Sequence, residues 1–178
     1  AAKLDKMIEK ELKPLKLELA KFKTEILRDQ ESRFGCDHVC FTTEINPGSG
    51  FKPLNKIASG GELSRFLLAA KLCFFDEDSK KTQIFDEIDR GVGGATASAI
   101  GKRLLELSKH EQVLVVTHSP QVAAYSDNHL KVEKVNSDKS TITKVTTLNE
   151  ENTVREIARM LSGELVTSEA LAAAAKLR

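Results

Sequence analysis

Residues 84–87 read Ile84-Phe85-Asp86-Glu87, and residues 113–118 read Val113-Leu114-Val115-Val116-Thr117-His118. The apolar residues in these stretches predict short buried strands at 82–86 and 112–117. The segment between them has helical spacing over 95–109. A strand, a helix and a strand joined by short loops form a crossover between two parallel strands. We therefore expect an α/β fold whose mostly parallel sheet is flanked by helices.

Two acids end the first of these strands. Ligands of open α/β sheets sit at the carboxyl ends of the strands, and adjacent strand residues point to opposite faces. Asp86 and Glu87 can therefore do different work. Asp86 suits the shell of a magnesium ion, and Glu87 suits polarisation of an attacking water. A solvated acidic pair is the alternative, which the following Asp89 and the loop Gly91-Val92-Gly93-Gly94 disfavour.

The second strand ends in a histidine, His118. We expect it at the same sheet edge as Glu87, where an imidazole can contact a γ-phosphate or orient water. Arg90, in the loop after the acids, has two interpretations. It is either an ordinary surface residue or a residue that reaches a dimer interface.

The tetrapeptide Ser59-Gly60-Gly61-Glu62 predicts a helix start, with a strongly apolar helix over 60–75. Ser59 would cap the helix and Glu62 would reach back to it, as in a capping box. The glycines leave backbone N–H groups uncovered, and the positive end of a helix dipole attracts phosphate. An ordinary capped helix after a loop is the alternative.

Residues 1–31 are charged and lack glycine. Apolar residues recur there at helical spacing: Leu4, Ile8 and Leu12, then Leu15, Leu19, Phe22 and Ile26. Pro14 should kink this helix or open a second one. The segment is either an amphipathic helix packed on the domain or the end of a coiled-coil arm. We divide the chain into 1–31 and 32–178; on the coiled-coil interpretation, 1–31 is the end of the arm and 32–178 is the lobe of a head.

The rest of the chain alternates between predicted strands and helices. The predicted elements are a strand at 38–46, a turn at 46–50, a helix stop at 76–79, a hairpin of 129–135 with 140–147 around a turn at 136–139, and helices at 151–162 and 167–177.

The composition is that of a globular domain. The 178 residues are 40% hydrophobic and 30% charged, with a net charge of +1. Any DNA contact would therefore need a local basic patch. No apolar run reaches membrane-spanning length, and three cysteines make no disulfide framework. Cys36 and Cys40 flank His38, but the spacing fits no zinc pattern and indicates a plain strand lining.

Together these motifs resemble the head of ATP-binding-cassette ATPases. Ala58–Glu62 matches the signature motif, Ile84–Glu87 the Walker B strand, Ile88–Gly94 the D-loop and His118 the switch histidine. Glutamate at position 62 resembles the SMC and Rad50-like branch. Longer strings resemble the bacterial RecN family of SMC-like ATPases; they are Glu11–Leu17, Asn46–Gly48, Ile57–Phe66, Phe85–Gly94 and Val116–Ala123.

This resemblance implies an ATPase of double-strand break repair and recombination, with ATP and Mg²⁺ as cofactors. Asp86, Glu87 and His118 would serve the nucleotide of their own head. Ser59, Gly60, Gly61 and Glu62 would serve the nucleotide of a second head, with Asp89 beside it. The implied partners are an N-terminal lobe of the same protein, a second copy of the head, and DNA. The implied location is the bacterial cytoplasm, at the nucleoid, with no membrane contact.

The chain departs from such heads because it contains no Gly-rich loop with a lysine for the phosphates of ATP. One alternative is therefore a catalytically silent module for dimerisation or protein binding. Another is a transporter subunit, which Glu62 and the charged residues at 1–31 disfavour.

Overall fold

A computed structural model describes residues 1–33, 35–57, 59–74, 81–137, 140–163 and 165–178. The chain forms two compact units, Ala1–Thr117 and His118–Arg178. Ala58, the predicted helix stop at 76–79, and positions 138 and 139 of the predicted hairpin turn lie outside the described residues.

The described residues of the first unit form an antiparallel sheet, a parallel strand pair and three α-helices. In chain order its elements are α1 (Ala2–Leu12), β1 (Lys21–Ser32), β2 (Gly35–Glu44), β3 (Lys52–Pro53), α2 (Gly60–Cys73), β4 (Thr82–Asp86), α3 (Gly94–Ser108) and β5 (Gln112–Val116). Strands β4 and β5 pair in parallel, from Thr82–Gln112 to Asp86–Val116. The predicted strand–helix–strand unit is confirmed, and it brings Asp86 next to the end of β5.

In the second unit, the described residues form a hairpin and three α-helices. Its elements are α4 (Pro120–Ala123), β6 (His129–Ser137), β7 (Ser140–Leu148), α5 (Glu150–Ser162) and α6 (Ser168–Leu177). The hairpin and both later helices were predicted. Buried Ile157 and Ala158 of α5 pack with Ala170 and Ala174 of α6. None of the helices in the described parts of the chain is long and apolar enough to cross a membrane.

The prediction of helices throughout 1–31 is wrong after Leu12. Pro14 lies in a short 3₁₀ turn and Lys16 takes a φ of 60°, so the helix ends there and no second one opens. Residues 21–32 form β1, which pairs antiparallel with β2. The spaced apolar residues do not share a buried face, because Phe22 is buried whereas Ile26 is exposed. The long-range strand pairing outweighs the local period, and a coiled-coil role for this segment stays a prediction.

The strands β4 and β5 are buried on one face only, which corrects the prediction of two buried strands. Phe85 is 5% exposed, but Ile84 is 70% exposed and Val116 is 60% exposed. Among the described strand pairings only β4–β5 is parallel, so the mostly parallel sheet is confirmed for this pair alone. Apolar runs of this kind normally mark strands covered on both faces. Among the described residues of the first unit, none forms a covering layer on the open face.

Helix α1 packs on the helix that carries the predicted signature motif. Its residues Ile8 and Leu12 are fully buried, and α1 lies against α2. Glu11 accepts a 2.6 Å hydrogen bond from Nε of Arg103 on α3. The ion pair is half-buried. The first helix of the chain is therefore tied to both helices that flank the acids.

Candidate nucleotide-binding site

Ser59 caps α2. Its backbone is extended and its Oγ accepts a 3.4 Å hydrogen bond from the N–H of Glu62. The predicted helix start is thus confirmed at this residue. A Cβ added to Gly60 would meet nothing within 4 Å, so this part of the helix start is open to a ligand.

Gly61 is the tight position of the motif. A Cβ there would lie 3.2 Å from the carbonyl oxygen of Arg90 and 3.4 Å from Nη1 of Arg65. Real Cβ atoms seldom come so close to their neighbours, so an alanine would push the loop at Arg90 away from α2. Only glycine lets the start of α2 and the loop after β4 touch.

The backbone of Glu87 is held in an uncommon conformation. Its φ is +48°, in the left-handed region that non-glycine residues rarely adopt. Its N–H donates to the carbonyl of Val116 at 3.3 Å, and its carbonyl accepts from the N–H of Arg90 at 3.0 Å. Such strain costs about 1–3 kcal/mol and is concentrated at functional sites. The two hydrogen bonds tie the residue to β5 and to the loop.

A buried carboxylate fixes the position of the loop after the acids. Asp89 is 3% exposed, and its Oδ2 accepts a 2.7 Å hydrogen bond from the hydroxyl of Thr117. The neighbouring Ile88 is fully buried. At the surface, Arg90 Nη1 lies 3.1 Å from Oε2 of Glu87, and the two side chains form an exposed ion pair. Asp89 therefore positions the loop, and Arg90 faces the acids.

One polar cavity joins the two motifs. It has a volume of about 470 Å³ and is lined by Ser59, Gly60, Gly61, Ser64, Asp86, Glu87 and Arg90. The volume lies within the usual range for small-molecule sites, about 300–1,000 Å³. Hydroxyls and the helix N–H groups are donors suited to phosphate, and carboxylates are ligands suited to Mg²⁺. The lining therefore fits a magnesium–nucleotide.

Comparison with known proteins agrees with the motifs. No model of a protein family matches the chain. The chain is 45% identical over 178 residues to the DNA repair protein RecN of Rickettsia bellii, covering 99% of this chain and 32% of that protein. The chain belongs to the RecN family. It spans about a third of the length of the RecN relatives that it matches.

Solved structures show the same fold at low sequence identity. The Smc head domain with a coiled coil and joint from Pyrococcus yayanosii has a TM-score of 0.59 at 17% identity, covering 89% of this chain and 29% of that one. A chain described under ATP-driven dimerization and DNA-stimulated activation of SMC ATPases has a TM-score of 0.53 at 18% identity, covering 91% of this chain and 93% of that one. The RecN chain thus has the α/β fold of an SMC head domain.

The structure brings together most, but not all, of the residues predicted for the site. Ser59, Gly60, Gly61, Asp86 and Glu87 line the cavity. Glu62 lies in the first turn of α2, and Asp89 is buried in the loop. His118 is exposed and is the first residue of the second unit, so its place beside Glu87 stays a prediction.

The sequence analysis does not identify Ser64 or Arg65 as residues of the site, and it leaves two interpretations of Arg90. Ser64 and Arg90 both line the cavity, and Arg90 had two interpretations. Arg65, next to Gly61, was not singled out, yet it is 6% exposed. Its signal was an arginine on the otherwise apolar buried face of α2.

Proposed function

We propose that this RecN chain is the C-terminal lobe of an SMC-like ATPase head. It supplies the signature motif, Walker B strand, D-loop and switch histidine for ATP hydrolysis coupled to head engagement in double-strand break repair and recombination. The observation that carries the proposal is the cavity in which the start of α2 faces Asp86 and Glu87. The RecN family supports the repair context, since the relatives are DNA repair proteins by name.

The start of α2 is proposed to bind the terminal phosphate of ATP. The Ser59 hydroxyl and the N–H of Gly60 are donors at an open helix N-terminus. The helix dipole adds a partial positive charge at the same point. These groups need no rearrangement to accept a phosphate, because the cap already fixes the first turn.

The acids are proposed to act on the nucleotide of their own head, whereas the start of α2 acts on the nucleotide of the second head. Asp86 would hold Mg²⁺ through water, and Glu87 would take a proton from the attacking water. Bound Mg²⁺–ATP supplies the phosphoryl group and a cation that neutralises its charge. His118 is proposed to contact the γ-phosphate or orient the water.

The open face of β4–β5 is proposed to be covered by the N-terminal lobe of the same protein. Exposed Ile84, Leu114 and Val116 form a continuous apolar surface on two hydrogen-bonded strands. Such a surface is normally covered. The second proposed partner is another head, as in the ATP-driven dimerization named for the SMC relative. DNA is a proposed partner of the whole protein.

We expect the isolated chain to bind Mg²⁺–ATP weakly or not at all, because its 178 residues contain no Gly-rich loop followed by a lysine. Isothermal titration calorimetry of Mg²⁺–ATP into the chain measures this. Addition of a separately produced N-terminal RecN lobe should restore both binding and hydrolysis.

The control is the same mixture with the Glu87→Gln chain, which should bind without hydrolysing. Low-micromolar affinity of the chain alone would contradict the expected dependence on a second lobe. If the two lobes bind each other but the mixture does not hydrolyse ATP, the chain is a catalytically silent module for dimerisation or protein binding.

A further inference from the structure

Helix α2 buries a cation that has unmatched donors. Arg65 is 6% exposed, and its Nε and Nη1 have no hydrogen-bond partner among the described residues. Burial lowers the pKa of its guanidinium, and the carboxylate of Glu62 opposes this in part. Buried polar groups are nearly always hydrogen-bonded, and an exception needs a cause.

The guanidinium lies beside the D-loop, which comprises Ile88–Gly94. Nη1 of Arg65 and the carbonyl oxygen of Arg90 both approach Gly61, at 3.4 and 3.2 Å from the position of an added Cβ. A guanidinium offers donors in a planar fork, and a carbonyl oxygen is an acceptor. A donor without a partner and an acceptor therefore flank the same glycine.

Two contacts within this loop region join Arg90 to Glu87. The N–H of Arg90 donates to the carbonyl of Glu87, and the Arg90 side chain pairs with its carboxylate. Glu87 is already in a strained conformation, with φ at +48°. A change at the Arg90 carbonyl thus alters the backbone that aims the carboxylate.

We infer that Arg65 is a positioning residue for hydrolysis: its unmatched donors bind the D-loop backbone at Arg90 when the head closes, and this fixes the position of the Glu87 carboxylate. The inference rests on the proposed function of the cavity. It gives the buried Nε and Nη1 donors a partner, since the carboxylate of Glu62 offsets the desolvation of the guanidinium only in part.

A purely structural arginine would behave differently from a positioning one. Replacing a buried guanidinium whose donors lack partners by an apolar side chain of similar length is often neutral or stabilising, because the desolvation cost is removed with it. Loss of catalytic geometry instead lowers the rate of hydrolysis, since a misplacement of about 1 Å can cost about 100-fold in rate. Stability and turnover should therefore move apart when Arg65 is changed.

The test uses a complete RecN protein that contains this chain, with Arg65→Met, Arg65→Lys and a matched control, Arg103→Met. For Arg65→Met we expect an unchanged or higher Tm, a kcat lowered by about 10- to 100-fold and a nearly unchanged KM for Mg²⁺–ATP. Arg65→Lys should recover part of kcat, because it keeps a cationic donor at the end of a long side chain. Arg103 pairs with Glu11 away from the cavity, so Arg103→Met should lower Tm and leave kcat near that of the unsubstituted protein.

The outcomes separate this inference from the proposed function. If the unsubstituted protein shows no ATP hydrolysis, the proposed function and the role of Arg65 are both wrong. If it hydrolyses ATP and Arg65→Met does so at the same kcat, only the role of Arg65 is wrong. If Arg65→Met loses Tm and kcat together and Arg65→Lys recovers neither, Arg65 is a structural residue and the inference is overturned.

Discussion

Substitution of Glu87 by glutamine should slow ATP hydrolysis by a reassembled head by about two orders of magnitude or more, the usual scale for loss of a general base. Nucleotide binding should remain, because the amide keeps the size of the side chain and Asp86 is still present to hold Mg²⁺. The structure supports this choice over Asp89, since Glu87 lines the cavity whereas Asp89 is buried and bonded to Thr117. Single-turnover hydrolysis and equilibrium binding of Mg²⁺–ATP measure the two effects.

The matched control is Glu106→Gln, which removes a carboxylate from an exposed i,i+3 pair with Lys109 on α3. Exposed pairs of this kind contribute little, so both rate and affinity should stay near those of the unsubstituted head. A Glu87→Gln head that turns over normally would rule out Glu87 as the base. A head that no longer binds nucleotide would instead assign Glu87 to binding.

Substitution of Ser59 by arginine should abolish ATP-driven pairing of heads and leave ATP binding by the substituted head intact. A long cationic side chain at the start of α2 would fill the open approach beside Gly60. It would also remove the cap on Glu62, at a cost of about 1 kcal/mol. Size-exclusion chromatography with light scattering, with and without ATP, measures the pairing.

Two controls separate obstruction from loss of the cap. Ser59→Ala removes the cap without adding bulk, so it should weaken pairing less than Ser59→Arg. Thr167→Arg makes the same kind of change at the N-cap of α6, where Thr167 accepts from Ala170 at 3.2 Å. It should leave pairing unchanged, and equal losses in all three proteins would contradict a specific role for the start of α2.

A mixed dimer decides whether the start of α2 acts on its own nucleotide or on that of the other head. Ser59 and Glu87 line one cavity of a single chain, a geometry that permits either arrangement. We expect action across the dimer. Pairing a Ser59→Arg head with a Glu87→Gln head then puts both lesions in one composite site and leaves the other site competent. Single-turnover hydrolysis should then show that half of the sites are active. A dimer with no active site would favour action within one head. Full activity would exclude both roles.

The local elements of the site could be predicted from the sequence. The short apolar runs within 82–86 and 112–117 indicate strands, and Ser59 before two glycines indicates a capped helix start. These signals depend on neighbours within a few positions along the chain. The same is true of the hairpin and of α5 and α6, whose spacing is local. For this reason the acids and the start of α2 could each be predicted as a phosphate-site element before their geometry was known.

Only the tertiary structure decided which of these elements touch and which faces stay open. The spacing of Leu15, Leu19, Phe22 and Ile26 fits a helix, yet β1 forms there because β2 supplies partners for its backbone groups. Gly61, Arg65 and Arg90 meet because α2 packs against the loop after β4, a contact between segments far apart in sequence. The open face of β4–β5 depends likewise on what covers the strands and not on their composition. Local patterns set the conformation of each segment, whereas burial and long-range pairing, which no short window contains, set the site.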